Sequence, residues 1–217
     1  MVKRGNKIKV ISFDLDGTLV DSRKFDNTFW NEEIPKLYSK IHDIPILEAK
    51  KIVLRTYKEI GINNINWYKP EYWFKKFGLK NDWKKILKDL KHLIKSFPEV
   101  KKVLERLSKK YKLIVLTQSP KYSANLKLKT VNIEKFFTKI FVVIEDFKMV
   151  KHDENVYTIL LKKLNLKPNE IVHIGNDYKF DCHVPRSIGI RAILLDRSNA
   201  RKRKDVINDL REIENVL

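Results

Sequence analysis

The chain has 217 residues, of which 43% are hydrophobic and 11% aromatic, a composition typical of a folded domain that excludes an intrinsically disordered polypeptide. It carries 46 Lys and Arg against 27 Asp and Glu, a formal net charge of +19. The basic residues are spread along the chain, with the tightest run at 201–204, which favours a solvated lysine-rich surface over a nucleic-acid groove. A single cysteine, Cys182, excludes an internal disulfide and a cysteine-rich zinc site.

The first residues are basic, but their apolar run is too short for a signal peptide, and no apolar stretch approaches the roughly 20 residues of a membrane span. We therefore expect a cytoplasmic protein with no membrane partner. Composition does not distinguish a monomer from a homodimer.

Five short runs rich in Ile, Val and Leu are predicted to form strands, at 8–13, 113–117, 140–145, 171–175 and 192–196. They lack polar alternation, which indicates burial on both faces, as in a parallel sheet. Amphipathic helical patterns lie between them, one opened by Pro98 and one over 154–166. The alternation predicts a doubly wound α/β fold with a Rossmann-like core.

Almost a hundred residues separate the first two strands, too many for one crossover helix. Residues 24–96 contain all four tryptophans and read as helical, over 46–60, 70–77 and 82–95, with Pro35 marking a kink or boundary. We therefore predict a helical cap domain at 24–96 inserted into an α/β core domain formed by 1–23 and 97–217. Its aromatic residues are expected to form the core of the insertion.

Polar residues follow four of the predicted strands. In an open α/β sheet, ligands bind beyond the carboxyl ends of the strands, so these side chains are expected to meet at one edge. The collected residues are Asp14, Asp16, Thr117, Lys151, Asn176, Asp177 and Asp181.

The order of these segments resembles the four motifs of the haloacid dehalogenase-like (HAD) superfamily, in its phosphatase branch with a helical cap of the first type. "DLDGT" at 14–18 resembles the first motif, "LTQS" at 116–119 the second, the lysine of "KHDENVY" the third, and "GNDYKFD" at 175–181 the fourth. The resemblance covers nearly the whole chain and implies phosphate monoester hydrolysis.

The chemistry of the residues agrees with this resemblance. Asp14 can attack phosphorus to form an aspartyl-phosphate, and Asp16, beyond the turn set by Gly17, can protonate the leaving alkoxide and then deprotonate water. Lys151 supplies positive charge to the phosphoryl oxygens, and Lys148 is the fallback for this role. Gly17 and Thr18 of the first motif are predicted to bind substrate, and the Thr117 hydroxyl and the Gln118 backbone N–H are predicted phosphate ligands.

The resemblance also implies a Mg²⁺ cofactor, because an all-oxygen site with few protein ligands suits this ion. Its implied ligands are an Asp14 carboxylate oxygen, the Asp16 carbonyl and the side chain that follows Gly175. That side chain is Asn176, where most members of the superfamily have Asp. We favour Asn176 as the ligand over Asp177, and expect Asp181 in the outer shell.

The predicted function is therefore Mg²⁺-dependent hydrolysis of a small phosphorylated metabolite. A 2-haloacid dehalogenase is an alternative, disfavoured because those enzymes lack the second carboxylate, Asp16. The high positive charge keeps open a phosphatase for nucleotides or nucleic-acid ends, although nucleic acid is not the favoured partner. A nonenzymatic binding module is disfavoured by the intact set of reactive residues.

Overall fold

The computed structural model of the chain describes residues 8–198, 200 and 205–217. The basic run at 201–204 lies outside these residues. The strands, numbered in chain order, are β1 (Val10–Phe13), β2 (Val20–Asp21), β3 (Lys95–Ser96), β4 (Lys112–Thr117), β5 (Lys139–Val142), β6 (Ile171–Gly175), β7 (Arg191–Leu195) and β8 (Val206–Ile207).

Six strands form one parallel sheet in the order β5-β4-β1-β6-β7-β8. β1 lies at the centre, where Phe13 is in register with Val115 of β4 and Ile174 of β6. This arrangement confirms the doubly wound α/β prediction. The third predicted strand stops at Val142, because Asp146 accepts the Val142 backbone N–H in a π-helical turn.

The helices are α1 (Arg23–Thr28), α2 (Ile34–His42), α3 (Ile46–Ile60), α4 (Pro70–Lys76), α5 (Trp83–Asp89), α6 (Val100–Ser108), α7 (Lys121–Thr130), α8 (Glu154–Leu164), α9 (Val184–Ser187) and α10 (Ile213–Val216). The apolar periodicity did not predict α7. Its buried face contains Ser123 and Lys127 beside Ala124 and Leu128, so two core-facing positions are polar. The strict apolar stripe by which a helix is usually found is therefore missing.

Helices occupy the long segment between β1 and β4. The segment leaves and rejoins the α/β core through β2 and β3, which pair antiparallel, with Val20 opposite Ser96. Trp73 is fully buried within it, and Tyr57 and Phe77 pack on the Trp73 ring. We call residues 23–93 the helical insertion. Its last predicted helix ends at Asp89 and continues as a 3₁₀ turn over Leu90–Leu93.

Within the described ranges, no helix has the length and apolar character needed to cross a membrane.

Candidate functional site

The predicted site residues, except Gly17 and Thr18, surround one cavity at the carboxyl edge of the sheet. The cavity has a volume of about 220 Å³, and both carboxylates of the loop after β1 line it together with residues that follow β4 and β6. The central strands position them, since the Asp14 backbone N–H still donates to Ile174 of β6. The predicted side chains that line it are Asp14, Asp16, Thr117, Gln118, Lys151, Asn176, Asp177 and Asp181.

Lys151 connects two of the carboxylates. Its Nζ lies 2.7 Å from Asp14 Oδ1 and 2.6 Å from Asp181 Oδ1. Burial alone would lower the pKa of Lys151, but Asp14 and Asp181 raise it, and the net direction is upward. The ammonium therefore stays charged. Lys148, in contrast, is exposed and lines a separate surface cavity.

Asp14 is the more weakly held of these two carboxylates. Burial raises its pKa to about 7 despite the nearby Lys151. Asp181 differs because, although burial raises its pKa, Lys151 and His173 together bring that pKa below its ordinary value. Lys151 and His173 thus favour the anionic form of Asp181, whereas burial opposes the anionic form of Asp14.

Both carboxylate oxygens of Asp181 already contact donors of the protein. Oδ1 contacts Lys151 and His173, and Oδ2 accepts the Asp177 backbone N–H at 2.9 Å. His173 is a buried core residue whose other ring nitrogen contacts Ser12. We call Asp14, Lys151, Asp181 and His173 the Lys151 cluster.

Two glycines leave room for these side chains. A Cβ on Gly175 would lie 2.1 Å from Asp181 Cγ, so only glycine allows Asp181 to pack against the end of β6. Gly17 has φ +80°, and a Cβ there would lie 2.6 Å from Asn176 Nδ2. Both positions therefore require glycine because of close approach.

Asn176 and Asp14 share a hydroxyl. Thr18 Oγ1 lies 3.1 Å from Asn176 Oδ1 and 3.4 Å from Asp14 Oδ2. Asp177, in contrast, uses Oδ1 to accept the Phe180 backbone N–H at the start of a helical turn. The structure thus brings Asn176 to the Asp14 side of the cavity and engages Asp177 in a helix cap.

The residues after β4 shape the opposite wall. The Thr117 side chain is buried, and its Oγ1 accepts the Ser119 backbone N–H at 3.0 Å. The Gln118 side chain accepts the Lys151 backbone N–H at 2.7 Å. This bond ties the loop after β4 to the segment that contains Lys151.

A second buried lysine, which the sequence motifs did not indicate, lies beside Asp16. Lys127 of α7 is 1% exposed, and its Nζ lies 2.7 Å from Asp16 Oδ1, 2.9 Å from Asp26 Oδ1 and 3.3 Å from Ser119 Oγ. Ser22 Oγ lies 2.6 Å from both Asp16 Oδ1 and Asp26 Oδ2. We call Asp16, Ser22, Asp26, Ser119 and Lys127 the Lys127 cluster. No pattern in the sequence distinguishes Lys127 from the other lysines of the chain.

A second cavity, of about 280 Å³, adjoins the first between the helical insertion and the core. Asp16, Tyr68, Gln118 and Ser119 line both cavities. Its remaining wall combines aromatic side chains of the insertion with polar groups of the core, and includes Trp30, Trp67, Ser123 and Lys127. The volume suits a small organic group with both apolar and hydroxyl surface.

The oxygen atoms near Asp14 fit a hard cation. Asp14 Oδ2 and Asn176 Oδ1 approach the same hydroxyl, and both belong to groups that Mg²⁺ accepts as ligands. No three His, Cys, Asp or Glu side chains in the described part of the chain gather around one metal position. Such a donor set would leave a bound Mg²⁺ with several waters, and it does not suit zinc.

Comparison with known proteins agrees with this geometry. The sequence model of the family described as haloacid dehalogenase-like hydrolase matches residues 11–195. A Thermotoga maritima protein named phosphorylated carbohydrates phosphatase is 26% identical over 199 residues, which cover 86% of this chain and 84% of that protein. A Pyrococcus furiosus protein named glyceraldehyde 3-phosphate phosphatase is 26% identical over 196 residues, covering 86% of this chain and 80% of that protein.

Solved structures share the fold. A HAD phosphatase from Thermococcus onnurineus superposes with a TM-score of 0.84 at 24% identity, covering 96% of this chain and 97% of that chain. A 2-haloacid dehalogenase from Pseudomonas syringae pv. Tomato DC3000 superposes with a TM-score of 0.69 at 20% identity over the same shares. At these identities, the likeness establishes the fold and leaves the reaction to the site residues.

Proposed function

Because the chain belongs to the haloacid dehalogenase-like hydrolase family, we propose that it is a phosphatase of small phosphorylated carbohydrates. The observation that carries the proposal is the pair of carboxylates after β1. Asp14 and Asp16 line the same cavity, yet each is paired with a different buried lysine. Two separately held carboxylates suit a reaction that needs a nucleophile and a distinct proton donor.

Asp14 is proposed as the nucleophile. Its carboxylate attacks phosphorus, the ester oxygen departs, and the aspartyl-phosphate formed is then hydrolysed. Lys151 keeps its charge beside Asp14 and offers it to the phosphoryl oxygens, whose negative charge increases in the transition state. The Thr117 hydroxyl lines the same cavity and can donate to those oxygens.

Asp16 is proposed as the acid and base. Its Oδ1 accepts from Lys127 and Ser22, whereas Oδ2 has no hydrogen-bond partner among the residues that the structure describes. Oδ2 is thus the oxygen available to give a proton to the departing alkoxide and later to take one from water. A dehalogenase has no alkoxide to protonate, so this second carboxylate favours phosphate ester chemistry.

Mg²⁺ is the proposed cofactor, held by Asp14, the Asp16 carbonyl and Asn176. When bound, it would neutralise charge between Asp14 and the phosphate. Two observations support this donor set over one with Asp177 or Asp181. Asn176 lies across Thr18 from Asp14, and the other two carboxylates are engaged by backbone or lysine donors.

The helical insertion is proposed as a cap domain over the site. Its residues supply the aromatic wall of the 280 Å³ cavity, next to the cavity that contains Asp14. Carbohydrate rings and short polyols pack on aromatic faces while their hydroxyls bind polar groups. The relatives named for phosphorylated carbohydrates and glyceraldehyde 3-phosphate support the same substrate class.

The test is a panel of phosphate esters assayed with and without Mg²⁺. We expect turnover of phosphorylated carbohydrates and little of nucleotides, 5′-phosphorylated oligonucleotides or 2-chloropropionate. Asp14→Asn should lower kcat at least about 10³-fold, because it removes the nucleophile. Undiminished hydrolysis by Asp14→Asn would refute the mechanism, and halide release would instead favour dehalogenation.

A further inference from the structure

The Lys127 cluster contains a buried ammonium whose hydrogen bonds are fully used within the protein. Lys127 has three N–H donors, and its three neighbours are Asp16, Asp26 and Ser119. Because no donor remains for a ligand, Lys127 is not suited to bind the phosphate directly. Its contacts point instead toward Asp16.

The contact with Asp16 is selective for one carboxylate oxygen. Both Lys127 Nζ and Ser22 Oγ approach Oδ1, at 2.7 and 2.6 Å. Ser22 has one hydroxyl hydrogen to share between Asp16 and Asp26, so it cannot hold Asp16 whenever it donates to Asp26. Lys127 has enough donors to hold both carboxylates at once.

A charged donor on Oδ1 also determines where a proton can reside on Asp16. A carboxyl group whose one oxygen accepts from an ammonium carries its own hydrogen on the other oxygen. For Asp16 that other oxygen is Oδ2, which is free of hydrogen-bond partners in the described ranges. Asp26 is a second counter-ion for Lys127, and it stays beside the ammonium whether or not Asp16 carries a proton.

We propose that Lys127 is a positioning residue that fixes Asp16 Oδ1, so that Oδ2 faces the oxygen of the leaving group. The inference rests on the proposed function, since it assumes that Asp16 protonates that oxygen. Asp26 of α1 keeps the ammonium in place from the side of the helical insertion. The Lys127 side chain lines the 280 Å³ cavity, but its ammonium donors are engaged by Asp16, Asp26 and Ser119, so it acts through Asp16.

The test compares two substrates of nearly the same shape. Phenyl phosphate releases a phenol with a pKa of about 10, comparable to that of a tyrosine side chain, and needs a proton at the leaving oxygen. 4-Nitrophenyl phosphate releases a far more stable anion that needs little protonation. The measured quantity is kcat/KM, which covers steps only up to the formation of the aspartyl-phosphate.

We expect Lys127→Met to lower kcat/KM for phenyl phosphate at least about tenfold. General-acid catalysis contributes about 10²–10⁴-fold to the rate, and this variant should lose only part of that contribution. For 4-nitrophenyl phosphate, kcat/KM should fall less than about threefold. Lys127→Arg should restore most of the loss, since it returns a charged donor. The matched control is Lys129→Met, the same substitution at an exposed position of α7.

A double-mutant cycle separates positioning from a general structural role. In an Asp16→Asn background, Lys127→Met should cause no further loss with phenyl phosphate, because the acid is already absent. A further loss of the same size as in the wild type would overturn the proposal. Equal losses with the two substrates, or no loss with either, would also overturn it.

If Lys127→Met does not fold, a second variant tests the same proposal. Lys127→Met with Asp26→Asn removes one charge of each sign and should keep the selective loss with phenyl phosphate. If the wild-type enzyme shows no Asp14-dependent hydrolysis of either substrate, the proposed function fails. Normal wild-type turnover without a selective loss refutes the role of Lys127 alone.

Discussion

The Lys151 and Lys127 clusters are built from the same parts on opposite sides of a single loop. Each contains a buried lysine between two carboxylates, and in each one carboxylate belongs to the loop after β1. They differ in what the second carboxylate is attached to. Asp181 follows a central strand of the sheet and is 1% exposed, whereas Asp26 belongs to the first helix of the insertion.

That difference separates a rigid cluster from one that spans two parts of the molecule. Asp181 is held by a lysine, a histidine and a backbone N–H, all within the α/β core. The side chains of Asp16 and Asp26 are 32% and 35% exposed, so water reaches both. The proposed nucleophile therefore has a fixed counter-ion, while the proposed acid is held by contacts that include the helical insertion.

Among the changes that test this comparison of the two clusters, removal of Lys151 has the largest expected effect. Lys151→Met should lower kcat on the order of 10²–10³-fold, by loss of charge beside the phosphoryl group. It should also lower the free energy of unfolding by roughly 3–5 kcal/mol, because Asp181 is left as a buried carboxylate without its ammonium. Phosphatase assays and urea unfolding at neutral pH measure the two effects, with Lys148→Met as the exposed control.

The comparison predicts a smaller stability loss for Lys127→Met, since Asp16 and Asp26 can be hydrated when their ammonium is absent. Urea unfolding of Lys127→Met and Lys151→Met, measured in parallel, shows which variant loses more stability. If Lys127→Met loses as much free energy of unfolding as Lys151→Met, or more, water does not compensate the carboxylates of the Lys127 cluster, and the proposed difference between the two clusters is wrong.

The second prediction concerns the glycine against which Asp181 packs. Gly175→Ala should lower the free energy of unfolding by roughly 1–3 kcal/mol, because its Cβ would force Asp181 away from Lys151. Gly78→Ala serves as the comparison, because Gly78 has φ +66° and nothing within 4 Å of an added Cβ. Gly78→Ala therefore measures the loss of stability that comes from the left-handed backbone conformation alone.

Activity distinguishes these two glycine variants more sharply than stability. Gly175→Ala is expected to lower kcat through displacement of Asp181 and Lys151, whereas Gly78→Ala should leave kcat within about twofold because Gly78 lies outside the site. Retention of full activity by Gly175→Ala would indicate that Asp181 has no part in holding Lys151.

The smallest expected effect is on the proposed cation site. Asn176→Asp adds a negative charge beside Asp14, so we expect half-maximal activity at several-fold lower Mg²⁺ concentration with little change in kcat. Titration of activity with Mg²⁺ measures it, and Asp177→Asn is the matched control at the neighbouring position. A shift only in Asp177→Asn would assign the ligand to Asp177 instead.

Local patterns in the sequence were enough to predict the α/β fold and to place three members of the Lys151 cluster at one edge of the sheet, but not its fourth member, His173. Apolar runs without polar alternation are typical of strands buried on both faces of a parallel sheet, and the residues that follow such strands gather at its carboxyl edge. Asp14, Lys151 and Asp181 were therefore expected near one another before the structure was known. The sequence also showed that the residue after Gly175 is not the Asp that most members of the superfamily have at that position.

The second cluster was decided by tertiary structure alone. Lys127 looks like any surface lysine in a chain with 46 basic residues, and it interrupts the apolar face that would have revealed α7. Its partners Asp16 and Asp26 lie 111 and 101 residues away. A lysine is stable in such a buried place only because two carboxylates converge on it, and that convergence exists only after the insertion has folded back onto the core.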